Sequence, residues 1–166
     1  KPKKIGAIDI SLKRLIDGKK YINKNKRKID LLARADASQL PFPDNSFDMV
    51  YTCNCLEQVP ELFLKSVKEL VRVSSKLVVI IEPSYEFGSN FSKKNIFKKG
   101  YTRINDSHFD KLNLKPIYRG RLDLTYYISG TEIIILKKKK AAKLKNKTDF
   151  ICPDTYENLF KKCGKK

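Results

Sequence analysis

Residues 36–73 read DASQLPFPDNSFDMVYTCNCLEQVPELFLKSVKELVRV. The part up to Ser46 contains two prolines and an Asp-Asn pair, a composition typical of a loop. Residues 47–53, FDMVYTC, are rich in β-branched and aromatic residues and predict a strand. Pro60 predicts the start of a helix, because proline is favoured in the first helical turn. The apolar face of that helix would consist of Phe63, Val67, Leu70 and Val71.

The flanking segments continue this alternation of strands and helices. Residues 4–10 predict a strand end, and Ser11 can cap a helix that follows it. Residues 29–35 predict a second strand, and the continuous apolar run KLVVIIEP at 76–83 predicts a strand covered on both faces. Two later strands, near 115–127 and 131–137, would form an antiparallel hairpin. The order predicts an α/β sandwich with a C-terminal antiparallel hairpin.

Composition limits the class of protein. The chain has 166 residues, 41% hydrophobic and 10% aromatic, which is enough for one domain with a real core. No apolar run approaches the roughly 20 residues that span a bilayer, and no signal-peptide pattern follows the basic N-terminus. The cysteines are too few and too unevenly spaced for a disulfide framework, so we expect a reducing, cytoplasmic setting. They are Cys53, Cys55, Cys152 and Cys163.

The formal net charge of +18 lies at the two ends of the chain. Residues 1–28 carry +9 and residues 137–166 carry +8, whereas residues 29–136 carry only +1. We therefore expect non-specific attraction of polyanions to the ends, and an electrically ordinary core. An RNA-binding surface would need aromatic residues interleaved with the basic ones, and that clustering is lacking.

Several short motifs occur in one order along the segment quoted first. Together they resemble the class I S-adenosylmethionine (SAM)-dependent methyltransferases of type 11, a group that includes quinone methyltransferases. The resemblance runs from about Ile5 to Pro83, and more loosely to Leu136. It implies a Rossmann-like sandwich, SAM as cofactor and transfer of a methyl group to a small-molecule acceptor. The motifs are Asp36-Ala37, Leu40-Pro41-Phe42, Phe47-Asp48, Leu56-Glu57-Gln58-Val59 and Glu69-Leu70-Val71-Arg72-Val73.

The resemblance also implies which residues bind the cofactor. Asp9, at a strand end, would accept hydrogen bonds from both ribose hydroxyls, and Ile10 would pack against adenine. Asp36 would accept from the adenine amino group, with Ala37 leaving room beside it, and Cys53 would contact the cofactor mainly through its backbone. The alternatives are that Asp9 caps a helix, that Asp36 starts a turn, and that Cys53 is a small buried hydrophobe.

The sequence assigns no catalytic residue. Methyl transfer from a sulfonium is a direct displacement, so positioning and desolvation can suffice. Gln58 stands where the family commonly has a histidine, and His108 is expected to be a surface residue rather than a base. Tyr85, Glu86 and Tyr101 are candidates for the acceptor pocket.

One family element has no match in the sequence. The glycine-rich turn of the Asp-x-Gly-x-Gly type, which binds the methionine end of SAM, is not found before Lys4, and GAIDI matches the second strand rather than the first. We therefore expect residues 1–137 to be an N-terminally incomplete methyltransferase domain from a longer product. On that basis, residues 1–166 alone should bind SAM poorly. The alternative is a chain that has lost its cofactor site.

The C-terminal segments predict a linker and the start of a small appendage. The lysine-rich residues 138–148 are typical of a solvated linker, and residues 149–166 begin the appendage. Cys152 lies in a segment that resembles the opening of a zinc ribbon. However, Thr155 stands where a second cysteine would fall and Cys163 is alone, so no metal is expected.

Three other functions are compatible with parts of the sequence. A non-catalytic or decayed relative would keep the motifs without the activity, and an RNA-directed methyltransferase would use the basic ends. A nicotinamide-dependent dehydrogenase also places an acid after its second strand. It does not explain Asp36 together with the LPFPDNSFD segment, so methyl transfer to a small molecule is the favoured hypothesis.

Overall fold

The computed structural model describes residues 3–122 and 130–138. They divide into two compact units, one ending at Phe42 and the other beginning at Pro43. The helices and strands confirm the predicted α/β class. In chain order they are β1 (Gly6–Asp9), α1 (Leu12–Lys24), β2 (Leu31–Arg34), β3 (Phe47–Cys53), α2 (Phe63–Val73), β4 (Ser74–Pro83), α3 (Asn90–Lys98), α4 (Asp106–Asp110), β5 (Pro116–Leu122) and β6 (Thr131–Lys137).

The first unit is a β-α-β unit. Strands β1 and β2 are parallel, with Gly6 opposite Leu31 and Asp9 opposite Arg34. Ser11 caps α1 as predicted, because its side-chain oxygen accepts from the backbone N–H of Arg14 at 3.4 Å. Since the strands are parallel, both carboxyl ends lie at one edge of this sheet.

The second unit is a four-stranded sheet in the order β3-β4-β6-β5. Strands β3 and β4 are parallel and are connected through α2, whereas β4, β6 and β5 pair antiparallel. The predicted C-terminal hairpin is therefore confirmed. The core of this unit includes the fully buried side chains of Phe63, Val67, Ile80 and Ile134.

A helix follows Pro60, as predicted: two short 3₁₀ turns, Leu56–Gln58 and Pro60–Leu62, lead into α2. Two other local predictions needed correction. On α2 the buried position is Val73 instead of Val71, because the chain passes directly from Val73 into the buried start of β4. Strand β4 was predicted to be covered on both faces, but its fully buried residues alternate and so lie mainly on one face. The described residues cover the opposite face only in part.

Strands β1 and β3 each have a single hydrogen-bonded neighbour within the described ranges, β2 and β4 respectively. The described strands thus form two separate sheets.

The predicted linker and appendage lie outside the described residues, apart from Lys138. The Lys138 ammonium donates to Asn45 Oδ1 at 2.7 Å and to the backbone oxygens of Val71, Arg72 and Ser74 at 3.0, 3.2 and 3.1 Å. These hydrogen bonds hold Lys138 against the second unit. The described part of the chain contains no helix long and apolar enough to cross a membrane.

Candidate functional site

Asp9 is the last residue of β1, at the carboxyl edge of the first sheet. Its Oδ1 accepts from the backbone N–H of Ser11 at 2.7 Å, and its Oδ2 lies 3.8 Å from Arg14 Nη1. Asp9 therefore makes the hydrogen bond at the start of α1 that the alternative, a helix-capping role, requires. It uses one carboxylate oxygen, and a carboxylate can accept further hydrogen bonds.

Ile10 follows directly and is 61% exposed. Its backbone oxygen accepts from Arg34 Nε at 2.9 Å, which fixes the chain between β1 and α1. A fixed backbone and an exposed branched side chain give this edge an apolar surface that a flat ring could cover.

Asp36 follows β2 and lies at the same carboxyl edge as Asp9. Its Oδ1 accepts from the backbone N–H of Ser38 at 2.7 Å, and its backbone oxygen accepts from Gln39 at 3.0 Å. These bonds form the turn that was the alternative for Asp36. Ala37, in the middle of this turn, is half-buried.

Cys53 is the last residue of β3, in the second unit, and is exposed. The interpretation of Cys53 as a small buried hydrophobe is therefore wrong. Partial burial, together with the charges of Glu82 and Glu57, raises the pKa of the Cys53 thiol. The thiol is protonated at neutral pH and is a poor nucleophile.

A pair of buried carboxyl groups, which the sequence analysis missed, lies at the end of β4. Glu82 is fully buried and Glu57 is 3% exposed. The Glu82 carboxyl accepts from the backbone N–H groups of Cys55, Leu56 and Glu57 at 3.0–3.4 Å, and from Thr52 Oγ1 at 3.1 Å. Burial, together with the hydrogen bond and charge of Glu57, raises the pKa of Glu82 to about 9. The Glu82 carboxyl is therefore protonated at neutral pH.

The sequence contained a signal for this pair. Glu82 ends the apolar run VVII, and an acid at the end of a buried strand requires a partner. The role of the pair is structural. Glu82 accepts hydrogen bonds from three consecutive backbone N–H groups, and these bonds hold the segment after β3 in one conformation.

A cavity of about 810 Å³ lies within the second unit. Its wall is joined to the segment after β3, since the Thr102 backbone N–H donates to Glu57 O at 2.8 Å and Thr102 Oγ1 donates to Leu56 O at 3.2 Å. The three candidates for the acceptor pocket, Tyr85, Glu86 and Tyr101, line this cavity. His108 lines it as well.

His108 is half-buried at this cavity rather than a surface residue, so that prediction is wrong. The reason is packing, because its ring meets Phe63 edge-on at 5.1 Å. Burial lowers the pKa of His108, and its Nδ1 accepts from the backbone N–H of Asn105 at 3.3 Å. The neutral ring therefore carries its proton on Nε2, which makes it a hydrogen-bond donor to the cavity rather than a base.

Arg119 fixes another part of the cavity wall. Its side chain is only 10% exposed and forms ion pairs with Glu86 at 2.7 Å, Asp106 at 2.8 Å and the buried Glu132 at 2.8 Å. Its Nη2 also donates to the backbone oxygen of Ile104 at 2.9 Å. Glu86 and Asp106 are thus both paired with Arg119.

Comparisons with known proteins agree with this fold. Residues 2–80 match the model of a methyltransferase domain family. A SAM-dependent methyltransferase from Methanosarcina mazei has 19% identity and a TM-score of 0.64, covering 83% of each chain. A putative methyltransferase from Bacillus halodurans has 13% identity and a TM-score of 0.64, over 81% of this chain and 83% of that one.

A third solved structure contains a bound product. Magnesium protoporphyrin IX methyltransferase from Synechocystis, with bound S-adenosylhomocysteine (SAH), has 13% identity and a TM-score of 0.61, over 82% of this chain and 64% of that one. At these identities the likeness shows the shared fold. No curated protein sequence matches the chain. The chain therefore has the fold of the class I SAM-dependent methyltransferases, and its residues 2–80 match a methyltransferase domain family.

Proposed function

We propose that this methyltransferase transfers the methyl group of SAM to a small organic acceptor. The observation that carries the proposal is the cavity of about 810 Å³ in the second unit, a volume typical of small-molecule sites. An RNA acceptor would instead favour an exposed basic surface with stacking aromatic residues.

We assign the nucleoside half of SAM to the carboxyl edge of the first sheet. Asp9 would accept from the ribose hydroxyls, Ile10 would cover adenine, and Asp36 and Ala37 would meet the adenine amino group. Cys53 would contribute its backbone. Support comes from the exposure of Ile10 and from the position of both acids at one sheet edge, each using Oδ1 in a local turn.

SAM supplies an activated methyl group, and the residues of this chain would bind and orient the two reactants. The neutral His108 offers a donor to the acceptor, and the protonated Cys53 does not compete as a nucleophile. Catalysis would thus rest on orientation and exclusion of water. The basic ends would attract polyanions non-specifically, an effect that weakens as salt rises.

Asp9→Asn tests the cofactor assignment. Asparagine keeps an oxygen for the Ser11 N–H but loses the negative charge, so SAH binding should weaken by about 1.5–3 kcal/mol. Asp17→Asn is the matched control, because Asp17 lies on α1 in an exposed pair with Lys13. Ligand-detected NMR titrations with SAH would measure both affinities. Equal affinities for Asp9→Asn and the wild type would refute the ribose assignment.

A further inference from the structure

Arg103 lies in the wall of the cavity between two aromatic rings. Its guanidinium carbon is 5.7 Å from the ring centre of Tyr85 and 6.0 Å from that of Phe97. Contacts of this kind attract the cation and restrict its orientation. The two rings therefore favour one orientation of the planar group.

The charge of Arg103 is not neutralised by the described residues. The two carboxylates near this wall, Glu86 and Asp106, already pair with Arg119. A second cation lies nearby, since the Lys99 ammonium is 5.3 Å above the ring centre of Tyr101. His108 adds no charge, because burial lowers its pKa and keeps it neutral. The cavity wall therefore presents the Arg103 guanidinium beside aromatic surface.

We infer that the acceptor bound in this cavity carries a carboxylate on an apolar body. A guanidinium presents parallel N–H donors that match the two oxygens of a carboxylate. Phe97, Tyr101 and Ile96 line the same cavity and would cover the apolar part of the ligand. The inference rests on the proposed function, to which it adds the chemical class of the acceptor.

Two probes of the same shape test this inference, 4-hydroxyphenylacetate and its neutral amide, 4-hydroxyphenylacetamide. Each is titrated into the ¹⁵N-labelled full chain at fixed ionic strength, and amide shifts are followed. We expect the carboxylate to shift residues 101–104 and to bind roughly tenfold more tightly than the amide. Arg103→Gln should remove that difference, and Arg103→Lys should restore part of it, since lysine keeps the charge without the planar fork.

A chain with a net charge of +18 attracts any anion weakly, so a charge-matched control is needed. Lys68→Gln removes one exposed positive charge on α2, away from the residues that line the cavity, and should leave carboxylate affinity unchanged. Equal binding of acid and amide, or equal losses in Arg103→Gln and Lys68→Gln, would overturn the inference. Those results would leave the cofactor assignment intact, because that assignment is tested separately by SAH binding to the Asp9→Asn variant. If the cofactor assignment failed and the carboxylate still bound through Arg103, the cavity would be an anion site without a role in methyl transfer.

Discussion

At the scale of single residues, the raised pKa of the buried Glu82 carboxyl links the protein's stability to pH. The pKa of Glu82 is raised from an ordinary value of 4.5 to about 9. Folding therefore retains a proton that the unfolded chain releases. Stability that is complete below pH 4.5 is lost progressively as pH rises through about 9.

Glu82→Gln tests this linkage, because glutamine cannot titrate. The loss of unfolding free energy between about pH 5 and pH 9 should be smaller in the variant than in the wild type. Part of the loss should remain, since burial also raises the pKa of Glu132. Urea denaturation across this range measures the slope, and Glu61→Gln at an exposed site serves as control. A slope as steep in Glu82→Gln as in the wild type would contradict the raised pKa of Glu82.

At the scale of elements, the start of β6 packs closely against the segment that carries Tyr85 and Glu86. Gly130 has a φ of +66°, and a Cβ added there would lie 2.8 Å from the backbone oxygen of Phe87. The Ser84 N–H also donates to Gly130 O at 3.0 Å. This contact leaves no room for a side chain, so the cavity wall depends on a glycine at this position.

Gly130→Ala should therefore destabilise the protein more than Gly100→Ala does. Gly100 has nearly the same φ, +64°, but an added Cβ would meet nothing within 4 Å. Both variants incur the left-handed backbone penalty of about 1–2 kcal/mol, and only Gly130→Ala adds a clash with backbone. Urea unfolding of the two variants gives the comparison. Equal losses would show that the close packing at Phe87 is absent in solution.

The elements also show how far the sequence could predict the fold. The order of strands and helices could be predicted from the spacing of apolar residues and from prolines. A run such as VVII, or a proline in a first helical turn, determines the secondary structure of its own segment. The buried face of α2 was misassigned at Val71, since burial there depends on where the chain enters β4. The position of His108 was likewise missed, because its contact with Phe63 joins residues distant in sequence.

At the scale of the whole molecule, the resemblance correctly predicted the fold and the methyltransferase domain family that residues 2–80 match, whereas the site residues remain proposals. The turn bonds of Asp9 and Asp36 are those of their structural alternatives, and they are compatible with cofactor binding by the second carboxylate oxygen. The Glu57–Glu82 pair and the Arg119 network could not be assembled from sequence, because each joins residues from different elements.

The central claim is that the carboxyl edge of β1 and β2 holds the nucleoside half of SAM. Amide shift mapping of the full ¹⁵N-labelled chain with SAH, up to saturation or the solubility limit of SAH, tests it most directly. A shift map reports weak binding as well as tight binding, and it locates the ligand on the chain. We expect saturable shifts concentrated at Ile10, Ser11, Ala37 and Ser38, whose N–H groups adjoin the two carboxylates. Shifts confined to other residues, or no shifts at the highest SAH concentration, would contradict the claim.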